Sequence, residues 1–207
     1  MVKKPIIIGV IHLPDRLESV ITRLAPIISQ EDKIGIEPSP EDLKLYDEVK
    51  EAEHPFEELY ELVKKRDNLN DSSVSTEEFH EFYLGIHSWL LKHGAVPIGI
   101  GSRVRDTFSV EFVRKFFVNG EECTQEEFSI DSFMSRPHFD HYVARRIEEE
   151  KLRGVIIGCD HRPIARLARG RYIDFSGRAK GDELSSRWVN NILHREYPKY
   201  KEKLPIL

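Results

Sequence analysis

Short apolar runs alternate along this chain with segments whose apolar residues recur at helical spacing. The runs are rich in β-branched residues and lack the alternation of a half-exposed strand, which predicts strands buried on both faces of a sheet. The spacing between the runs leaves room for a helix after most of them. The predicted strands are Pro5–Ile11, Lys33–Ile36, Ala95–Ile100, Gly154–Cys159 and, as a candidate fifth, Arg171–Phe175.

Helices are predicted between these strands, and strands that alternate with helices indicate an α/β fold. We expect a central, mainly parallel or mixed sheet with helices on both faces, built as a single domain over residues 1–207. The region 107–124 fits either a hairpin turn or a helix end at Asn119-Gly120. The predicted helices are Asp15–Ser29, 40–66 with a break near Pro55, 75–94, Arg136–Lys151, Ile164–Ala168 and Glu183–Arg195.

The composition is that of an ordinary globular protein, with 40% hydrophobic and 32% charged residues. A net charge of −5 argues against a dedicated nucleic-acid binder. No apolar stretch is long enough to span a bilayer, so we expect no membrane association. Cys123 and Cys159 are the only cysteines, which argues against a disulfide framework and favours a reducing, cytoplasmic location.

One nine-residue pattern occurs twice, in Ile6–Pro14 and in Val155–Pro163. Each copy has an apolar triplet, a glycine, a histidine three residues later and then a proline that can open a helix. The bare Gly-x-x-His spacing is a weak signal, but the flanking triplet and proline strengthen it. We therefore expect His12 and His161 to lie at equivalent ends of neighbouring parallel strands.

Four predicted strand ends carry polar side chains that would meet at the carboxyl edge of a parallel sheet, where ligands usually bind. Two imidazoles and one carboxylate suit a divalent metal that keeps open positions for water. The plainer explanation is that each histidine bonds a neighbouring loop and that the repeated pattern serves packing. The residues at the four ends are His12, Glu37, Arg103 with Arg105, and His161.

Other polar residues give weaker signals. Asp160 either joins this edge or orients His161 as a hydrogen-bond acceptor. His138 and His141 flank Asp140 near a helix start and are interpreted as surface residues. The arginine-rich stretch 162–178 is either a solvated face or a source of positive charge near an anionic substrate.

Paired Gly-x-x-His motifs with a glutamate closing the second strand resemble the superfamily of TraB and PrgY proteins, Tiki proteases, ChaN-like haem-binding proteins and erythromycin esterases. The TraB-like branch is the most similar, through Ile8–His12, Ile34–Pro38 and Gly158–His161. That branch has an arginine before the aspartate that corresponds to Asp140. This chain has Phe139 there, so by this resemblance the basic group is either supplied by Arg136 or missing.

The resemblance implies a metal-dependent hydrolase that acts on a peptide or an ester. In that hypothesis His12, Glu37 and His161 hold manganese, cobalt or zinc, or activate water. Glu37 acts as the base, and Arg136 or Arg103 stabilises the developing oxyanion. The alternative is a non-catalytic protein that binds a small molecule, haem or a peptide at the same edge. The substrate, the metal and the oligomeric state stay open.

Overall fold

A parallel sheet forms the centre of the structure, a computed structural model that describes residues 4–67, 74–102 and 135–207, together with 120, 122 and 124. Arg103 and most of the region 107–124 lie outside the described residues. The strands have the order β3-β2-β4-β1-β5, and each described pairing is parallel. They are β1 Ile6–Val10, β2 Lys33–Ile36, β3 Val96–Gly99, β4 Gly154–Gly158 and β5 Arg171–Asp174.

Helices fill the connections between the strands, close to the predicted positions. The predicted break near Pro55 separates two helices, because Pro55 opens the second of them. The expected α/β class is confirmed, and the sheet is parallel in its described part. The helices are α1 Leu17–Leu24, α2 Pro40–Val49, α3 Pro55–Asp67, α4 Val74–Lys92, α5 Ser135–Glu149, α6 Pro163–Leu167 and α7 Lys180–Glu196.

Two apolar cores lie on opposite faces of the sheet, because successive strand side chains point to opposite sides. Ile6, Ile8 and Val10 face a core built with α1, α2, α3 and α4. Ile7, between them in the strand, faces a second core built with α5 and α6. This arrangement confirms the prediction of helices on both faces, and β1 and β4 are buried along their whole length as predicted. β3 was also predicted to be buried but is only partly so, since Val96 at its start is exposed.

The strand order brings the two copies of the repeated pattern side by side. β1 pairs with β4 in a register that places Val10 beside Gly158, and β2 pairs with the other edge of β4. The carboxyl ends of the three strands therefore meet at one edge, as we expected from the repeat. Among the described helices, none combines the length and the apolar character needed to cross a membrane.

Candidate functional site

Glu37 is held in place at the end of β2 by groups from two other elements. Its Oε2 accepts a hydrogen bond from the backbone N–H of Gly158 at 2.8 Å and from the Tyr83 hydroxyl of α4 at 3.3 Å. A Cβ atom at position 158 would lie 3.1 Å from His12 Cε1 and 3.5 Å from Glu37 Oε2. The glycine of the second motif copy therefore gives these two side chains room to approach the strand.

His12 follows β1 and faces the same carboxylate. Its Nε2 lies 3.1 Å from Oε2 of Glu37, while the ring packs against Phe79, Phe82 and Tyr83 of α4. The contact lacks hydrogen-bond geometry, so Nε2 is a buried nitrogen without a hydrogen-bond partner among the described residues. A buried polar atom of this kind indicates a place for a proton donor, a water molecule or a cation.

His161 approaches the carboxylate from β4 and is oriented by a buried aspartate. Its Nε2 lies 3.8 Å from Glu37 Oε1, and its Nδ1 lies 2.5 Å from Oδ1 of Asp140 in α5. The other oxygen of Asp140 contacts Nε2 of His194 in α7 at 2.8 Å. The Asp140 side chain has no exposed surface, so the two histidines satisfy a carboxylate that water does not reach.

The charge of Asp140 determines which nitrogen of His161 carries a proton. Burial raises the pKa of Asp140, but His161 and His194 outweigh burial through charge and hydrogen bonding, so the pKa lies below its usual value. An ionised carboxylate only accepts hydrogen bonds, so Nδ1 of His161 is the donor. When His161 is neutral, the proton on Nδ1 leaves the lone pair of Nε2 facing Glu37, and this is the form of the ring that binds a metal.

The donor types match a divalent cation, although their described positions do not form a finished site. Two ligands at about 2.1 Å from one tetrahedral ion lie about 3.4 Å apart. The His12–Glu37 and His161–Glu37 distances, 3.1 and 3.8 Å, fall on either side of that value. Within the described ranges, however, no group of three or more His, Cys, Asp or Glu is arranged to hold an ion. Binding an ion here requires the side chains to adjust.

The predicted arginines and Asp160 have different surroundings from these three residues. Arg136 lies 3.9 Å from Asp160, in a contact between Nη2 and Oδ2, and Arg103 is outside the described residues. Asp160 also accepts a hydrogen bond from Nη1 of Arg178 at 2.5 Å. The interpretation of Asp160 as the acceptor for His161 is wrong, because Asp140 occupies that position.

Three residues of this site were not predicted: Tyr83, Asp140 and His194. Asp140 has a signal in the sequence, because it lies three residues before Val143 on the buried stripe of its helix, where a charged residue is unusual. Its neighbour His138 was expected at the surface but is half-buried, and its ring nitrogens contact the Tyr197 hydroxyl and the Pro205 carbonyl.

Comparison with known proteins gives no match for this chain. No family model matches it, and neither curated proteins nor solved structures give a significant match. The residues themselves therefore carry the functional argument.

Proposed function

We propose that this protein is a metal-dependent hydrolase of the TraB- and Tiki-like kind, which cleaves a peptide or ester bond at the carboxyl edge of its sheet. The observation that carries the proposal is the position of Glu37 between two imidazole nitrogens. His12 Nε2 and His161 Nε2 face its two oxygens at 3.1 and 3.8 Å. Asp140 supports it by fixing the lone pair of His161 toward the carboxylate.

In this proposal His12, Glu37 and His161 hold a manganese, cobalt or zinc ion. Such an ion, when bound, would lower the pKa of a bound water and polarise the scissile carbonyl. Glu37 accepts the proton of the attacking water, and the Gly158 N–H and the Tyr83 hydroxyl keep its carboxylate in position. The aromatic rings of Phe79 and Phe82 limit access of bulk water to His12.

Of the two arginines predicted to stabilise the oxyanion, Arg136 is the one that lies among the described residues. It lies in the first turn of α5, the helix that also carries Asp140, and its side chain is 39% exposed. Its contact with Asp160 keeps a guanidinium near the turn that carries His161. A guanidinium aimed at a developing negative charge stabilises the transition state more than the ground state.

Calorimetry with manganese, cobalt and zinc tests the metal site directly. We expect one of them to bind more tightly than about millimolar, and the affinity to fall as the pH drops through the histidine range, because only neutral imidazole is a ligand. His12→Ala and His161→Ala should each abolish binding. His161→Ala also leaves Asp140 Oδ1 without its partner, so this variant should lose stability as well, and its binding is measured at a temperature where it stays folded. His54→Ala, which removes an exposed histidine before α3, is the matched control.

Glu37→Gln tests the charge of this residue, because glutamine keeps the volume of the side chain and loses the charge that a metal ligand and a base both need. We expect the rate of hydrolysis of a peptide or ester panel to fall by about 10²-fold or more, the usual loss for a general base. If no metal binds and the glutamine variant behaves like the unmodified protein, the hydrolase proposal fails. The non-catalytic binding protein then takes its place.

A further inference from the structure

A cavity of about 320 Å³ lies next to the candidate site, on the other side of the turn 159–161. Its walls come from this turn, from α6, from β5 and from α7. A cavity of this size fits a small molecule and lies at the lower end of the range of ligand sites. Its described lining includes five charged residues and two amides, which are Arg162, Arg166, Arg178, Arg187, Asp174, Asn190 and Asn191.

Four guanidinium groups and the carboxylate of Asp174 line the described walls. One of the four, Arg178, is paired with Asp160 at 2.5 Å, and the walls keep an excess of positive charge when both carboxylates are counted. The Asp174 carboxylate already accepts a hydrogen bond from the backbone N–H of Ser176 at 2.8 Å. The Cys159 thiol adds no negative charge, because burial raises its pKa to about 11. The chain as a whole carries a net charge of −5, so this concentration of arginine is local. Guanidinium groups in such a cavity favour carboxylates and phosphates.

Asn190 adds a requirement for a hydrogen-bond donor in the ligand. Its side chain is buried, and its Nδ2 donates to the backbone carbonyl of Asp160 at 2.9 Å. A carbonyl oxygen only accepts hydrogen bonds, so Nδ2 must face Asp160. The amide oxygen Oδ1 therefore points away from that carbonyl. Oδ1 is buried and has no hydrogen-bond partner among the described residues. Asn190 is one of the residues that line the cavity, so a small movement of its amide would let a ligand N–H or O–H satisfy this oxygen.

We propose that this cavity binds a small oxyanion, a carboxylate or a phosphate, that also carries an N–H or O–H group beside the anion. The arginines bind the anionic end, and Asn190 Oδ1 accepts the hydrogen bond from the neighbouring donor. The assignment depends neither on a metal at Glu37 nor on hydrolysis. It gives the arginine-rich stretch 162–178 a function beyond a solvated face.

Four small probes, titrated into the full-length protein and followed by NMR chemical shifts, separate the two requirements. Lactate carries an anion and a donor, propionate lacks the donor, lactamide lacks the charge, and glycerol 1-phosphate replaces the carboxylate by a phosphate. We expect lactate to bind in a saturable way with a dissociation constant of the order of millimolar, and more tightly than propionate or lactamide. The comparison of lactate with glycerol 1-phosphate identifies which oxyanion the cavity prefers.

Arg166→Gln and Arg187→Gln test the arginines, since both residues are exposed and their substitution leaves the cores intact. We expect each variant to weaken lactate or phosphate binding by about fivefold or more, because charge-assisted hydrogen bonds are lost. Arg171→Gln is the control with the same change of charge. Arg171 lies at the amino-terminal end of β5, at the opposite end of this strand from Asp174, which lines the cavity.

Several results would overturn the proposal. One is the absence of saturable binding for both anions up to about 50 mM, well above a millimolar dissociation constant. Another is equal weakening by Arg171→Gln, which would reveal a general charge effect. Equal affinity for lactate and propionate would remove the role assigned to Asn190. Because binding is measured without metal, a failure here and a failure of the hydrolase proposal are distinguishable.

Discussion

Asp140 Oδ1 and His161 Nδ1 lie 2.5 Å apart, in a contact that joins α5 to the turn after β4. This bond crosses from a helix on one face of the sheet to the edge where Glu37 lies. It stabilises the tautomer of His161 that directs Nε2 to the carboxylate. The bond therefore gives Asp140 a positioning role in the proposed site.

Asp140→Asn should disturb this tautomer while keeping the volume of the side chain. An amide offers one acceptor and one donor where the carboxylate offered two acceptors to His161 and His194, so it holds the proton of His161 on Nδ1 less firmly. We expect metal affinity and hydrolysis to fall by about 10- to 100-fold, the usual effect of losing such a partner. The ¹⁵N chemical shifts of the His161 ring report the tautomer independently of activity.

Asp47→Asn is the matched control for this variant. Asp47 also contacts a histidine, since its Oδ1 lies 3.1 Å from Nε2 of His87 in a pair between α2 and α4. Its substitution should change stability and leave metal binding unaltered. An equal loss of metal affinity in both variants would show that the effect of Asp140 is only structural.

Tyr83→Phe should have a smaller effect than Glu37→Gln. Burial raises the pKa of Tyr83 well above its usual value, with a further contribution from Glu37, so the hydroxyl remains a donor. Without it Glu37 keeps the N–H of Gly158, so we expect the rate to fall by about three- to tenfold. Tyr46→Phe removes a buried hydroxyl that contacts His80 and should leave the rate unchanged.

The free energy of unfolding should fall as the pH drops below 6.5. The pKa of His87 lies below this ordinary value because burial disfavours imidazolium more than Asp47 favours it. As the pH falls through 6.5, the unfolded chain gains a proton that folded His87 does not bind, so the folded state loses stability. Burial also lowers the pKa of His138 and of His141, which act in the same direction.

Chemical denaturation at about pH 7.5 and about pH 5.5 measures this loss. A His87→Gln variant should lose less stability between the two pH values, because one of the contributing groups is gone. Greater stability at the lower pH would contradict the assignment.

Ile156→Ala should cost on the order of 2–5 kcal/mol of unfolding free energy, from lost burial and the cavity it leaves. Ile156 has no exposed surface and lies in β4 between β1 and β2. Ile206→Ala is the control, since that side chain is 92% exposed and should cost less than about 0.5 kcal/mol. A loss below about 1 kcal/mol for Ile156 would contradict the central position of β4.

The strands were predictable because their sequences are short and densely β-branched, and the repeat predicted that β1 and β4 are neighbours. The meeting of His12, Glu37 and His161 followed from the general rule about parallel strand ends. Their chemistry stays a prediction. The sequence signal for all three is local: a strand, then a polar residue at its end.

Two of the supporting residues, His194 and Tyr83, have no such local signal. His194 lies in the last helix, and its contact with Asp140 depends on how α7 packs against α5. In the sequence pattern Tyr83 has the position of an ordinary aromatic core residue of α4. Only its hydroxyl distinguishes it from Phe82. Residues brought together by helix packing are not marked by periodicity, because the same apolar stripe suits many packing partners.

The central position of β4 has a consequence for the order in which the chain acquires its site. β1 and β2 follow one another in sequence but are separated in the sheet by a strand that begins at Gly154. Until that strand is inserted, Glu37 lacks the backbone N–H that holds it, and His161 is absent from the edge. Such pairing between distant parts of the chain is slow. During synthesis the two halves of the site therefore wait for the segment that begins at Gly154, and a nascent chain that stops before it has no assembled site.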